Sequence, residues 1–73
     1  MAEIKYEVVT RFGVLGESAR GWKKEINFIK WNDRDAKYDI REWSPEGDRM
    51  GKGITLSKEE AAKLKEILNS IDV

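Results

Sequence analysis

The chain has 73 residues, with 14 basic and 14 acidic side chains, no histidine and no cysteine. That length predicts one domain over residues 1–73, and a chain of this size buries only about 60% of its unfolded surface, with no disulfide to help. Without Cys or His the usual ligands of zinc, haem and iron–sulfur sites are missing, as is the base of the classical triads. No metal or cofactor is therefore expected, and extra stability is expected from packing or from a second copy of the chain.

From Ile4 to Leu15 the apolar residues begin on even positions (Ile4, Tyr6, Val8). The alternation breaks near Thr10, with Val9, Phe12, Val14 and Leu15 following. This reads as a long strand with a bend or bulge. Gly16 to Gly21 is a polar loop. Trp22 to Trp31 is the second strand, with Ile26 and Phe28 on one face and Ile29 and Trp31 on the other. Its pattern leaves open which pair is core, and a bulge near Phe28 would change the register. Asn32 to Asp35 is a turn.

Lys37 to Trp43 is the third strand, and its alternation is cleaner. Tyr38 and Ile40 share one face; Lys37, Asp39, Arg41 and Trp43 share the other. If Ile40 is core, Arg41 and Trp43 point away from it. Ser44 to Asp48 is a turn containing the one proline, and Met50 to Leu56 is the fourth strand, where Gly51 and Gly53 permit a bend. Ser57 and Glu60 form a capping box. Ala61, Leu64, Ile67, Leu68 and Ile71 follow at helical spacing, giving one helix of about four turns. The order is ββββα, an α+β fold. The helix is expected to cover one face of an antiparallel sheet, leaving the other wet or occupied by a partner.

Charged residues are 38% of the chain and hydrophobic ones 40%, the balance of a folded domain with a charged surface. No apolar run approaches the roughly 18 residues of a membrane span. The first residues hold no apolar signal core, so a cytoplasmic location is expected. A net charge of zero argues against simple coating of nucleic acid. A slight basic excess between Ser18 and Lys52 still permits a basic stripe on one face.

Parity places Arg41 and Trp43 on the second face, with Lys30 or Trp31 from the neighbouring strand and Lys52 from beyond the turn. Trp22, Lys23 and Lys24 open the second strand. Each of the three tryptophans has a Lys or Arg within two positions. Aromatic rings offer stacking surfaces to unpaired bases, and basic side chains offer phosphate contacts. Trp22, Lys24, Asn27, Lys30, Trp31, Arg41, Trp43, Arg49 and Lys52 are the candidate nucleic-acid-binding residues. The plainer alternatives are that the tryptophans are core, Arg41 sits in a cross-strand ion pair, Lys52 guards a sheet edge and Arg49 merely flanks a turn. The acidic pairs Asp33/Asp35 and Glu59/Glu60 lie in a turn and a helix first turn. Neither has a second cluster to complete a catalytic or metal site, so no enzyme is expected.

Lys37-Tyr-Asp-Ile-Arg-Glu-Trp43, Pro45-Glu-Gly47 and Gly51-Lys-Gly-Ile-Thr-Leu-Ser57 together resemble the transcriptional coactivator family called positive cofactor four. The similarity covers positions 37 to 71. The full chain, with Gly21-Trp-Lys-Lys-Glu and Trp31-Asn-Asp33, resembles the small bacterial YdbC-type branch. The resemblance implies a curved four-stranded antiparallel sheet followed by a helix. It also implies a homodimer with the helices at the interface (Leu64, Ile67, Leu68, Ile71) and a channel for single-stranded DNA. By position it assigns Arg41 to the DNA backbone, Trp43 to base stacking and Lys52 to a basic contact. Lys30 falls near a basic position, and Trp31 stands for a nearby aromatic if one gap is allowed. The turn before Gly51 is shorter than in eukaryotic members, and their Ser/Lys-rich tail is missing, so coactivator activity is not carried over. The reading is a largely sequence-independent single-stranded DNA-binding protein of transcription, replication or repair. The alternatives are a protein-interaction module of the transcription machinery and a single-stranded RNA binder.

Overall fold

A computed structural model describes residues 5–73. Four strands, β1 (Tyr6–Glu17), β2 (Lys23–Trp31), β3 (Lys37–Trp43) and β4 (Met50–Leu56), precede one helix, α1 (Lys58–Ser70). The strands pair antiparallel in chain order as one open sheet. Ile4, the first apolar position of the predicted first strand, lies outside the described residues. The strand runs two residues beyond its predicted end at Leu15.

β1 has 12 residues and β2, its only partner, has 9. The surplus is absorbed by register shifts between Val8 and Thr10, Arg11 and Gly13, and Val14 and Gly16. Each shift leaves one extra β1 residue: Val9, Phe12 or Leu15. Such bulges bend the strand that carries them and raise its twist. The broken alternation near Thr10 is the first of the three. β2 pairs with β3 without a shift, so the irregularity near Phe28 belongs to β1 opposite it.

The β2–β3 hairpin closes through Asn32 and Asp33, both at positive φ (47° and 64°). The Arg34 N–H donates to the Trp31 carbonyl at 2.8 Å. Two central residues at positive φ make a type I′ turn, whose twist matches that of the strands. Asn32 also ties down the start of β1, accepting from the Lys5 N–H on its side-chain oxygen (3.0 Å) and donating its own N–H to the Lys5 carbonyl (2.8 Å).

The register sorts the side chains onto two faces. Glu25 pairs with Arg41, Asn27 with Asp39 and Lys23 with Trp43, while Thr55 pairs with Asp39. These residues and Ile29 share one face; Ile26, Phe28, Tyr38, Ile40 and Ile54 share the other. Parity had pointed to the Ile40 face as core. The fully buried side chains among the described residues are instead Ile29, Trp43, Asn27 and Asp39, all on the Arg41 face. The bent β1 brings Tyr6 and Arg11 against Trp43 and closes that side. On the opposite face Phe12, Phe28 and Tyr38 pack as an aromatic cluster with centroids 4.9–6.4 Å apart, yet Phe12 and Ile54 remain more than half exposed.

Both halves of the predicted capping box form: the Glu60 N–H donates to Ser57 Oγ and the Ser57 N–H to Glu60 Oε1. The expectation that the helix covers one face of the sheet does not hold within one chain. Only Ser57 separates β4 from α1, which keeps the helix beside the strands it leaves, β3 and β4. Ala61 and Leu64 are half-buried there, whereas Ile67, Leu68 and Ile71 are about half exposed.

At Gly53 the backbones of β3 and β4 leave no room for a side chain. A Cβ built at Gly53 would lie 2.5 Å from both Arg41 Cβ and the Ile40 carbonyl oxygen. Gly53→Ala is therefore expected to force the two strands apart, at a cost of about 1–3 kcal/mol. Urea denaturation measures it; wild-type stability in the variant would refute the approach.

Candidate nucleic-acid interface

A buried carboxylate needs charged or hydrogen-bonding partners, and Asp39 has them on its own face. Arg41 Nε donates to Asp39 Oδ1 at 2.9 Å and Nη2 to Oδ2 at 3.0 Å, a bidentate pair. Thr55 Oγ1 donates to Oδ2 at 3.1 Å. Arg41 Nη1 reaches the Gly51 carbonyl at 3.1 Å, so three of the five guanidinium donors are fixed. The Arg41 guanidinium lies 5.2 Å from the centroid of the Trp31 ring, within cation–π range. Its side chain is 16% exposed.

A second set of the same parts stands beside it. Arg11 Nη1 donates to Glu25 Oε1 at 2.7 Å, and its guanidinium lies 5.6 Å from the Trp43 centroid. Glu25 Oε1 also accepts from Asn27 Nδ2 at 3.1 Å. Tyr6 sits between the two tryptophans, 5.9 Å from Trp31 and 6.0 Å from Trp43. Among the described residues, three buried side-chain atoms on this face have no partner: Asn27 Oδ1, Trp31 Nε1 and Trp43 Nε1.

The structure thus brings Asn27, Trp31, Arg41 and Trp43 together on one face, as a packed cluster. Trp43 lies on the side that parity assigned, but it is 1% exposed. Direct stacking of a base on it requires Tyr6 and Arg11 to move aside. Asn27 is wholly buried, and Arg41 is ion-paired, with Asp39 of its own strand rather than across strands as its plainer alternative had it.

Lys52 is not where the single-face expectation put it. Gly53 pairs with Arg41 and Met50 with Trp43, so a bulge sets Gly51 and Lys52 against Glu42. Lys52 lines an open depression with Lys24, Ile40, Glu42 and Ile54, on the face opposite Asp39. Trp22 borders a neighbouring depression with Arg20, Glu42, Gly51 and Lys52. Trp22, Lys24 and Lys52 therefore form their own basic–aromatic patch. Lys30 is exposed at the far end of β2, opposite Glu7. Arg49 is exposed in the β3–β4 turn, where its N–H donates to the Ser44 hydroxyl at 3.0 Å.

Tyr6, Arg11, Glu25 and Asp39 were absent from the sequence-derived candidates. Arg11 is the one charged residue between Glu7 and Glu17, a signal within an apolar strand. The three bulges scramble the parity that would have given its face.

Comparison with known proteins agrees with this architecture. Residues 18–67 match the family model described as Transcriptional Coactivator p15 (PC4). A protein of Treponema pallidum (strain Nichols), described as an uncharacterized protein, is 45% identical over 71 residues, covering 97% of this chain and 84% of that protein.

Removing one partner of the Asp39–Arg41 pair leaves the other charge uncompensated. Asp39→Ala and Arg41→Ala are each expected to destabilise the fold by about 3 kcal/mol, and Thr55→Val by about 1 kcal/mol. Chemical denaturation of the three variants tests the ranking; a neutral Asp39→Ala would contradict it.

Proposed function

The chain belongs to the Transcriptional Coactivator p15 (PC4) family, and from that premise we propose that it is a homodimeric, largely sequence-independent single-stranded DNA-binding protein serving transcription, replication or repair. The observation that carries the reading is the Arg41 guanidinium, held over the Trp31 ring by Asp39 and the Gly51 carbonyl. A guanidinium stacked and bonded in this way is pre-organised, so it loses little side-chain freedom when its remaining donors meet a phosphate oxygen. Such contacts are independent of base sequence.

Around it, the exposed Lys30 and Arg49 extend the phosphate contacts. Trp22, Lys24 and Lys52 supply a ring and two cations for the strand where it passes to the other side of the sheet. Trp31 offers a half-buried ring beside Arg41. Trp43 and Asn27 shape the face from beneath. Unpaired strands suit this surface because their bases present open π-faces.

The dimer follows from what one chain leaves uncovered. Phe12, Val14, Leu15, Ile54, Ile67, Leu68 and Ile71 are each about half exposed or more. A second copy, contacting through Leu64, Ile67, Leu68 and Ile71, removes that apolar surface from water. Ile67→Asp with Leu68→Asp is expected to yield monomer. Sedimentation equilibrium reads the mass; a wild-type monomer, or a dimeric double variant, would overturn this interface.

Binding is measured by fluorescence anisotropy of an oligothymidine of about 20 nucleotides, with site sizes of about 4–16 nucleotides per module in view. The matching duplex and an oligouridine serve as further arms. Salt-sensitive binding to the single strand over the duplex is expected, with a log–log slope of about −0.7 per phosphate contact. Arg41→Lys keeps the charge that faces Asp39 but loses the fork, and is expected to weaken binding about tenfold. An oligouridine bound more tightly than oligothymidine would make RNA the ligand. No binding of either at low salt would leave the faces to a protein partner.

A further inference from the structure

The two arginines on this face have the same surroundings. Each guanidinium stacks on a tryptophan (Arg41 on Trp31, Arg11 on Trp43). Each is held by a carboxylate of the same face, Asp39 or Glu25. Tyr6 lies about equally far from both tryptophans. They differ in exposure, and the difference favours Arg11: its side chain is 53% exposed against 16% for Arg41. Arg11 commits one donor to Glu25, whereas Arg41 commits three. Most of the Arg11 donors therefore remain in solvent, open to a ligand.

We propose that Arg11 is a second phosphate-contacting residue of the single-strand path, with Tyr6 as the base platform between the two arginine–tryptophan stacks. The proposal rests on the single-stranded DNA reading above. β1 lies before residue 18, where the family match begins. The bulge between Val8 and Thr10 shifts the parity of β1, so that Arg11 falls opposite Asn27 on the same face as Tyr6. The Arg11 guanidinium lies over the Trp43 ring and Glu25 holds one of its donors, leaving the others for a phosphodiester. Tyr6 is 39% exposed, so a base adjoining that phosphate has a ring to lie on.

The test uses the full chain and labelled oligothymidine across a salt series. Arg11→Gln is expected to weaken binding about tenfold at low salt and to reduce the log–log slope by about 0.7, the contribution of one phosphate contact. Arg11→Lys is expected to restore the slope. Tyr6→Leu is expected to lose about fivefold or more in affinity with the slope unchanged. A purely structural role for Arg11 would move the unfolding midpoint but not the slope. An Arg11→Gln variant with wild-type slope would overturn the proposal while the wild type still binds. A wild type that binds no oligothymidine would overturn the function reading and this one together. Should Arg11→Gln fail to fold, the Arg11 Nε–H resonance of the wild-type protein decides: it is expected to shift on adding oligothymidine, and a resonance that stays put refutes the contact.

Discussion

The Asp39–Arg41 ion pair is the interaction on which the polar face depends. Asp39 has no exposed surface, and a buried carboxylate persists only where its oxygens are paired. Arg41 meets both oxygens, and Thr55 adds a third bond from the next strand. The same arginine reaches the Gly51 carbonyl and covers Trp31. One pair thus links β3 to β4 by hydrogen bonds and to β2 by stacking. Gly53 belongs to the same arrangement, because a side chain there would occupy the space of the Arg41 Cβ.

This organisation gives meaning to a net charge of zero. Both stacked guanidinium groups have a carboxylate partner, so neither adds an uncompensated charge to the surface. What they add is direction: planar donors held at fixed angles beside aromatic rings. Long-range attraction falls to exposed cations at the margins, including Lys24, Lys30, Arg49 and Lys52. A protein built this way is suited to contacts made through positioned donors and rings rather than through bulk positive charge.

The opposite face carries the reverse problem. Phe12, Ile54 and the outer half of the helix stay exposed because the bulged β1 curls toward the polar side, and the one-residue link to α1 keeps the helix beside β3 and β4. A small chain with that much uncovered apolar surface has strong reason to associate. The faces therefore divide differently from what composition suggests: Asn27 and Asp39 are fully buried on one, while Phe12 and Ile54 are more than half exposed on the other.

Much of the fold was legible in the chain because it is encoded locally. The capping box, the Asn-Asp turn, the Pro-Glu-Gly turn and the period-2 alternation of β3 each depend on a few neighbouring residues, and all four elements stand where those residues put them. The motif from Lys37 to Ser57 was equally readable, and with it the family. Which face holds the core was decided only by tertiary structure. A bulge shifts parity by one residue, and neither the three in β1 nor the one at Lys52 leaves a sequence mark strong enough to assign every side chain after it. Whether Trp43 lies open or covered depends on Tyr6 and Arg11, residues more than thirty positions earlier in the chain. Local chemistry fixes what each segment becomes; the register between segments, set by where extra residues are absorbed, determines what each side chain meets.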